Sequence, residues 1–133
     1  MISDVKRAYF HAPADRELYV EIPREDPNWQ PGLVGKLRLS LYGTRDAAAN
    51  WQRCVTDHLV GLGFKAGLSN PCVFWHPGRG IRTPVHGDDY ASTGSLSQLD
   101  WLRAQLEKKF DMKTQVVGHS DREGVLREAK ILN

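Results

Sequence analysis

At 133 residues the chain fits one domain with a real hydrophobic core, and its 41% hydrophobic and 26% charged content are globular values that exclude a disordered tail. A net charge of +2 permits a nucleic-acid partner without arguing for one, because backbone binding needs clustered positive charge. No apolar run reaches membrane-spanning length, the start lacks the apolar core of a signal peptide, and both ends read as cut from a longer chain.

The opening segment ISDV reads as a strand that ends at Asp4. AYFHAP follows, and its proline at position 13 rules against a long helix. LYVEIP, residues 18 to 23, alternates as a strand and stops at Pro23. After a loop holding Pro27, Pro31 and Gly32, LVGKLRLSLYG reads as a second strand, with Leu33, Gly35, Leu37 and Leu39 on one face and Lys36 and Arg38 on the other. The two strands are expected to pair as a hairpin with a long loop.

A helix is expected from Asp46 to Gly61, with Thr44 as N-cap and Asp46 placing a negative charge in the first turn. Ala47, Ala48, Trp51, Val55, Leu59 and Leu62 recur at three- and four-residue steps as a buried stripe, which makes Trp51 a packing residue. Gly61 and Gly63 supply the stop. CVFWH, residues 72 to 76, suggests a strand entering a turn at PGRG. IRTPVHGDDYAST is expected to return antiparallel with an acidic pair near its middle, although Pro84 weighs against a fully hydrogen-bonded central strand. A second helix from Leu96 to Phe110 has Ser97 and Asp100 in the spacing of a capping box, with Leu99, Leu102, Leu106 and Phe110 on its buried face. The order of elements implies an α+β layer in which antiparallel strands cover one side of two helices.

The five histidines are scattered, and Cys54 and Cys72 have no CxxC spacing, so a zinc site is not indicated. The cysteine count fits an intracellular protein. GxGxxG and GxxxxGK[ST] are both absent. The most specific chemical feature is the pair Asp88 and Asp89 beside Gly87. Neighbouring residues of a regular strand point to opposite faces, so both carboxylates reach one pocket only at a bend, which glycine makes inexpensive. With a third acid such as Asp4 they could hold Mg²⁺ or Mn²⁺; the plainer reading is a solvated hairpin turn carrying two acids.

Taken together, ISDVKRAYFHA, LYVEIP, VGKLRLSLYGTRDAAANWQ, GLGFKAGLSNPCVF, HGDD and LRAQLEKKFDMK give a chain that resembles the reverse transcriptase of Ty1/copia-type retrotransposons over nearly all of residues 2 to 113. The resemblance implies that residues 1 to 133 are a partial reverse transcriptase domain, a polymerase palm with part of the fingers: a truncated antiparallel sheet packed on two main helices. It implies an RNA-directed DNA polymerase that adds deoxynucleotides to a primer 3′ end on an RNA or DNA template by two-metal transfer, with this isolated fragment expected to be incomplete and inactive. Asp4, Asp88 and Asp89 fall on the family's catalytic, metal-binding aspartates, with Mg²⁺ or Mn²⁺ as cofactor. Lys6, Arg7, Ala8 and Tyr9 fall near the incoming nucleotide, Tyr9 on the aromatic position that excludes a 2′-hydroxyl. Tyr42, Gly43 and Arg45 fall in the stretch supporting template and nucleotide. The implied partners are primer, template, deoxynucleoside triphosphates and the missing polyprotein domains, without a membrane.

The chain departs from the family where His86 and Gly87 replace the hydrophobic pair before the aspartates, where Arg82 and Pro84 interrupt the preceding strand, and where Arg45, Asp46, Ala47 and Ala48 stand for KQAP. Two other readings use the same residues: a non-catalytic remnant or structural domain of polyprotein origin, and a metal-dependent nuclease.

Overall fold

The computed structural model describes residues 1–116, 118–120 and 126–128. In chain order the elements are β1 (Ile2–Val5), a 3-10 helix (Ala8–His11), β2 (Tyr19–Glu21), β3 (Val34–Lys36), α1 (Ala47–Gly61), β4 (Lys65–Ala66), β5 (Val73–His76), β6 (Ile81–His86), β7 (Asp89–Ala91), α2 (Leu96–Lys109), β8 (Met112–Gln115), β9 (Gly118–Ser120) and β10 (Leu126–Glu128). The chain divides into two compact units, Met1–Arg7 with Val55–Asn133, and Ala8–Cys54. Their boundary falls inside α1.

The first unit carries a six-stranded sheet in the order β4-β5-β6-β7-β1-β8, with every pair antiparallel. β9 and β10 form a separate antiparallel pair. An antiparallel sheet with helices gives the expected α+β class. Strand β6 shows why the sheet has two unlike faces. Ile81, Thr83 and Val85 are buried while Arg82, Pro84 and His86 are exposed, the period of two that pleating imposes. On the inward side Val5, Phe74, Ile81, Val85 and Tyr90 are buried, as are Leu99, Leu102 and Leu106 of α2. Each such side chain taken out of water contributes about 1.5–3 kcal/mol. Two pairs of inward hydroxyls are matched, Thr83 with Ser92 at 2.7 Å and Ser3 with Thr114 at 3.1 Å, which removes the cost of burying those four alone.

The turn after β5 is tied to α2. The Arg79 backbone N–H donates to His76 Nδ1 at 3.1 Å, so the ring proton sits on Nε2 and is donated to the Leu62 carbonyl, also at 3.1 Å. The Arg79 guanidinium lies 3.8 Å from the centroid of the Trp101 ring and donates to Gln98 at 2.9 Å.

The acidic pair does not sit in the middle of one strand, as the sequence suggested, but where IRTPVHGDDYAST divides into β6 and β7. His86 and Asp89 are the closing pair, leaving Gly87 and Asp88 as a two-residue turn. Gly87 has φ +59 and Asp88 does not share a positive φ, the pattern of a type II′ turn with glycine first. A Cβ at Gly87 meets nothing within 4 Å, so substitution is opposed by backbone strain alone. Gly87→Val is therefore expected to lower stability by about 1–2 kcal/mol in urea unfolding; an unchanged midpoint would contradict the turn.

Pro84 lies in a strand with neighbours on both sides. The β6–β7 rungs run through Val85↔Tyr90 and resume at the Arg82↔Thr93 bridge. Between them Pro84 has no N–H to give, so the ladder is interrupted there without the strand being lost.

In the second unit β2 and β3 form the expected hairpin with a long loop, pairing Tyr19↔Lys36, Val20↔Gly35 and Glu21↔Val34. The paired stretch is shorter than the sequence suggested, and Leu33 and Leu39 are exposed. Ala8, Ala12, Ala47 and Trp51 are buried, Trp51 as a packing residue as expected. Ala48 instead faces solvent, and Asn50 takes an inward place, donating to Ser40 Oγ at 3.1 Å.

Both helix starts differ from the sequence reading. The Thr44 hydroxyl donates to the Leu41 carbonyl at 2.6 Å, which makes it a turn residue, and Asp46 directly precedes α1 while pairing with Arg16. α2 starts at Leu96 with Ser95 at the cap and no side-chain cap bond, so Ser97 lies inside the first turn rather than opening a capping box.

Candidate metal centre

β1 lies between β7 and β8, and the register of those pairings assembles the site. Asp4 stands opposite Asp89 on one side and opposite Lys113 on the other, and Asp89 stands opposite His86. Directly opposed residues of antiparallel strands share a face. His86, Asp89, Asp4 and Lys113 therefore form one row across four strands on the solvent-facing side. Asp88 joins from the β6–β7 turn, whose position is fixed by the Val5 N–H donating to the Asp88 carbonyl at 2.9 Å.

One ligand oxygen from each of Asp4, Asp88 and Asp89 lies within 4.8 Å of the others. Among the described residues this is the one cluster of three metal-ligating side chains. Asp4 is half-buried, and Asp88 and Asp89 are exposed. Partial burial raises the Asp4 pKa above the ordinary carboxylate value; the charges of Asp88 and Asp89 and a hydrogen bond with Asp88 push it further, while Lys113 opposes them. The donor set fits a hard divalent cation: three carboxylates converge, oxygen ligands suit Mg²⁺ or Mn²⁺, and a cation would relieve their mutual repulsion.

The raised Asp4 pKa, from burial first and from the neighbouring carboxylates second, gives a stability prediction for the metal-free chain. A carboxyl whose folded-state pKa is raised destabilises the fold fully above that raised value and not at all below its unfolded value. Asp4→Asn is expected to raise the melting temperature at neutral pH in chelator, with the gain vanishing as pH falls through the raised pKa towards the ordinary carboxylate range. A gain independent of pH would contradict the ionised Asp4 carboxylate as its source.

The other residues singled out from the sequence divide between the two units, Lys6 and Arg7 in the first and Ala8, Tyr9, Tyr42, Gly43 and Arg45 in the second. The Lys6 ammonium pairs with Asp111 at 3.6 Å, and its backbone N–H donates to the Asp111 carbonyl. Arg7 is exposed, with φ 50. Ala8 is buried, so its side chain offers nothing to a ligand. In the second unit Tyr9 stacks on Tyr42 with ring centroids 4.4 Å apart and planes 22° apart, and Phe10 meets Tyr42 edge-on at 5.4 Å. Gly43 has φ +86, and Arg45 is exposed. Sequence reading missed the Lys113 counter-charge and the Tyr9–Tyr42 stack. Both join distant segments, and only the alternation of MKTQ hinted that Lys113 faces outward.

Among the described residues no helix is long and apolar enough to cross a membrane. Comparison with known proteins agrees with the likeness read from the sequence. The chain is 30% identical over 115 residues to the retrovirus-related Pol polyprotein from transposon TNT 1-94 of Nicotiana tabacum, a match covering 83% of this chain and 9% of that relative. Residues 2–120 match the family model described as reverse transcriptase (RNA-dependent DNA polymerase). The chain belongs to the reverse transcriptase family.

Proposed function

We propose that this chain is the palm-containing part of an RNA-directed DNA polymerase and that Asp4, Asp88 and Asp89 hold its divalent cations, Mg²⁺ or Mn²⁺. The observation that carries the reading is the convergence of these three carboxylates, from β1 and the β6–β7 hairpin, within 4.8 Å. When bound, the cations lower the pKa of a primer 3′ hydroxyl and stabilise charge on the transferring and leaving phosphates. The protein's part is to present ionised oxygens. Lys113 favours the charged form of Asp4, and the Gly87–Asp88 turn brings the Asp88 carboxylate towards Asp4.

Tyr9 takes the role of a steric gate against a ribonucleotide 2′-hydroxyl, with Tyr42 fixing its ring by stacking. Lys6, Arg7 and the backbone at Ala8 serve the triphosphate in this reading. Gly43 and Arg45, with Tyr42, support the nucleotide and template. Two of the chain's departures from the family fall where its hairpin accommodates them, Gly87 at a positive φ and Pro84 at a gap in the ladder.

The chain spans 9% of the relative's length, so the activity is assigned to a longer polyprotein containing this segment. The test is extension of a DNA primer on an RNA template by that polyprotein, with and without chelator. Template-directed incorporation that needs Mg²⁺ or Mn²⁺ is the expected result. Metal-dependent cleavage of unprimed nucleic acid without incorporation would overturn the reading in favour of a nuclease, and neither reaction would leave a non-catalytic domain.

A further inference from the structure

Residues 58–87 contain no aspartate or glutamate, and they carry Lys65, Arg79 and Arg82. This acid-free stretch contains all of β4, β5 and β6. Register sets Lys65 opposite Trp75 and Trp75 opposite Arg82, so the three side chains form one row on one face. All three are exposed, Trp75 by 44%, and the Lys65 ammonium lies 5.7 Å from the Trp75 ring centroid. Among the described residues neither Lys65 nor Arg82 is ion-paired with a carboxylate. Arg79, by contrast, is held by Trp101 and Gln98.

The row shares a face with the carboxylates. Arg82, Pro84 and His86 are the exposed positions of β6, and His86 belongs to the row that contains Asp89 and Asp4. Arg82 is four residues from His86, about 13 Å along the strand. One strand of a duplex advances roughly 3.4 Å per nucleotide, so the two rows stand about four nucleotides apart.

We infer that Lys65, Trp75 and Arg82 form a nucleic-acid contact, Lys65 and Arg82 taking phosphate oxygens and Trp75 the face of a sugar or base, along a strand that follows β6 from the carboxylate triad. Charge complementarity selects this occupant: two cations with no carboxylate partner among the described residues flank an exposed indole on a surface built from an acid-free segment, the combination that tracks a backbone while stacking on its bases. An exposed cation–aromatic pair adds only weakly to a fold, and packing of that kind has no use for Arg82 on the other side of the indole. The direction of the strand rests on the polymerase reading; the contact itself needs no catalysis.

The experiment is fluorescence anisotropy of a labelled primer–template duplex with the full chain in chelator, over a range of salt. Lys65→Gln/Arg82→Gln should make the plot of log affinity against log salt shallower by about 1.8, or 0.9 per phosphate contact, so that the loss between about 50 and about 200 mM salt is roughly tenfold smaller than in the wild type. Trp75→Leu should weaken binding with the slope unchanged. A wild-type slope in Lys65→Gln/Arg82→Gln, in a variant whose melting temperature is retained, would overturn the contact, as would failure of the wild-type chain to bind duplex. If the slope changes as expected while the longer polyprotein fails to extend primers, the contact stands and the polymerase reading falls.

Discussion

Asp88→Asn is expected to reduce primer extension by the polyprotein about 10²- to 10³-fold while leaving duplex binding in chelator intact. The estimate follows from what bound metal contributes. Lewis-acid stabilisation of a transferring phosphoryl group supplies several kcal/mol, and each 1.36 kcal/mol is a factor of ten in rate. Asparagine keeps the size of Asp88 and one carbonyl oxygen but removes the charge from a turn residue that is exposed and outside the core. Loss of folding is therefore a poor explanation for lost activity, and the melting temperature of the variant checks that directly. Activity within about twofold of wild type would remove Asp88 from the metal set.

The second large effect concerns the inward face of the sheet. Phe74 is fully buried in β5, and Trp75 beside it is 44% exposed. Phe74→Ala is expected to cost about 3–5 kcal/mol in chemical unfolding, transfer and cavity terms together, a large share of the roughly 5–15 kcal/mol that holds a typical domain. Trp75→Ala should cost far less, because it loses contact with solvent-facing neighbours only. Equal losses at the two positions would contradict the assignment of faces on which the carboxylate row also depends.

That assignment was largely legible in the sequence because β6 alternates, with Arg82 and His86 outward and Ile81 and Val85 inward. Thr83 reads as a surface residue by type, yet it is buried, and Ser92, just beyond the end of β7, matches its hydroxyl. The split of the acidic segment into two strands follows from a local rule, since a Gly-Asp turn with glycine first closes a two-residue hairpin. The helix starts were misread for a different reason. Ser92, Ser95 and Ser97 all lie near the beginning of α2, and Thr44 is drawn off by the Leu41 carbonyl, so composition names the capping residue types without choosing among them. The carboxylate pair was readable from its spacing beside glycine. Asp4 was a candidate third carboxylate that family likeness singled out, and Lys113 entered only through the pairing of β1 with β8, a contact between segments far apart in the chain.

Titration of the chain with Mn²⁺, following the free ion by electron paramagnetic resonance, decides whether Asp4, Asp88 and Asp89 form one divalent-cation site. Saturable binding is expected in the wild type and its loss in Asp4→Asn/Asp88→Asn/Asp89→Asn. Wild-type affinity is also expected to fall as the solution is acidified, because Asp4 holds its proton to a higher pH than an ordinary carboxylate and must release it to bind the ion. Equal Mn²⁺ binding by the wild type and the triple variant would contradict that site.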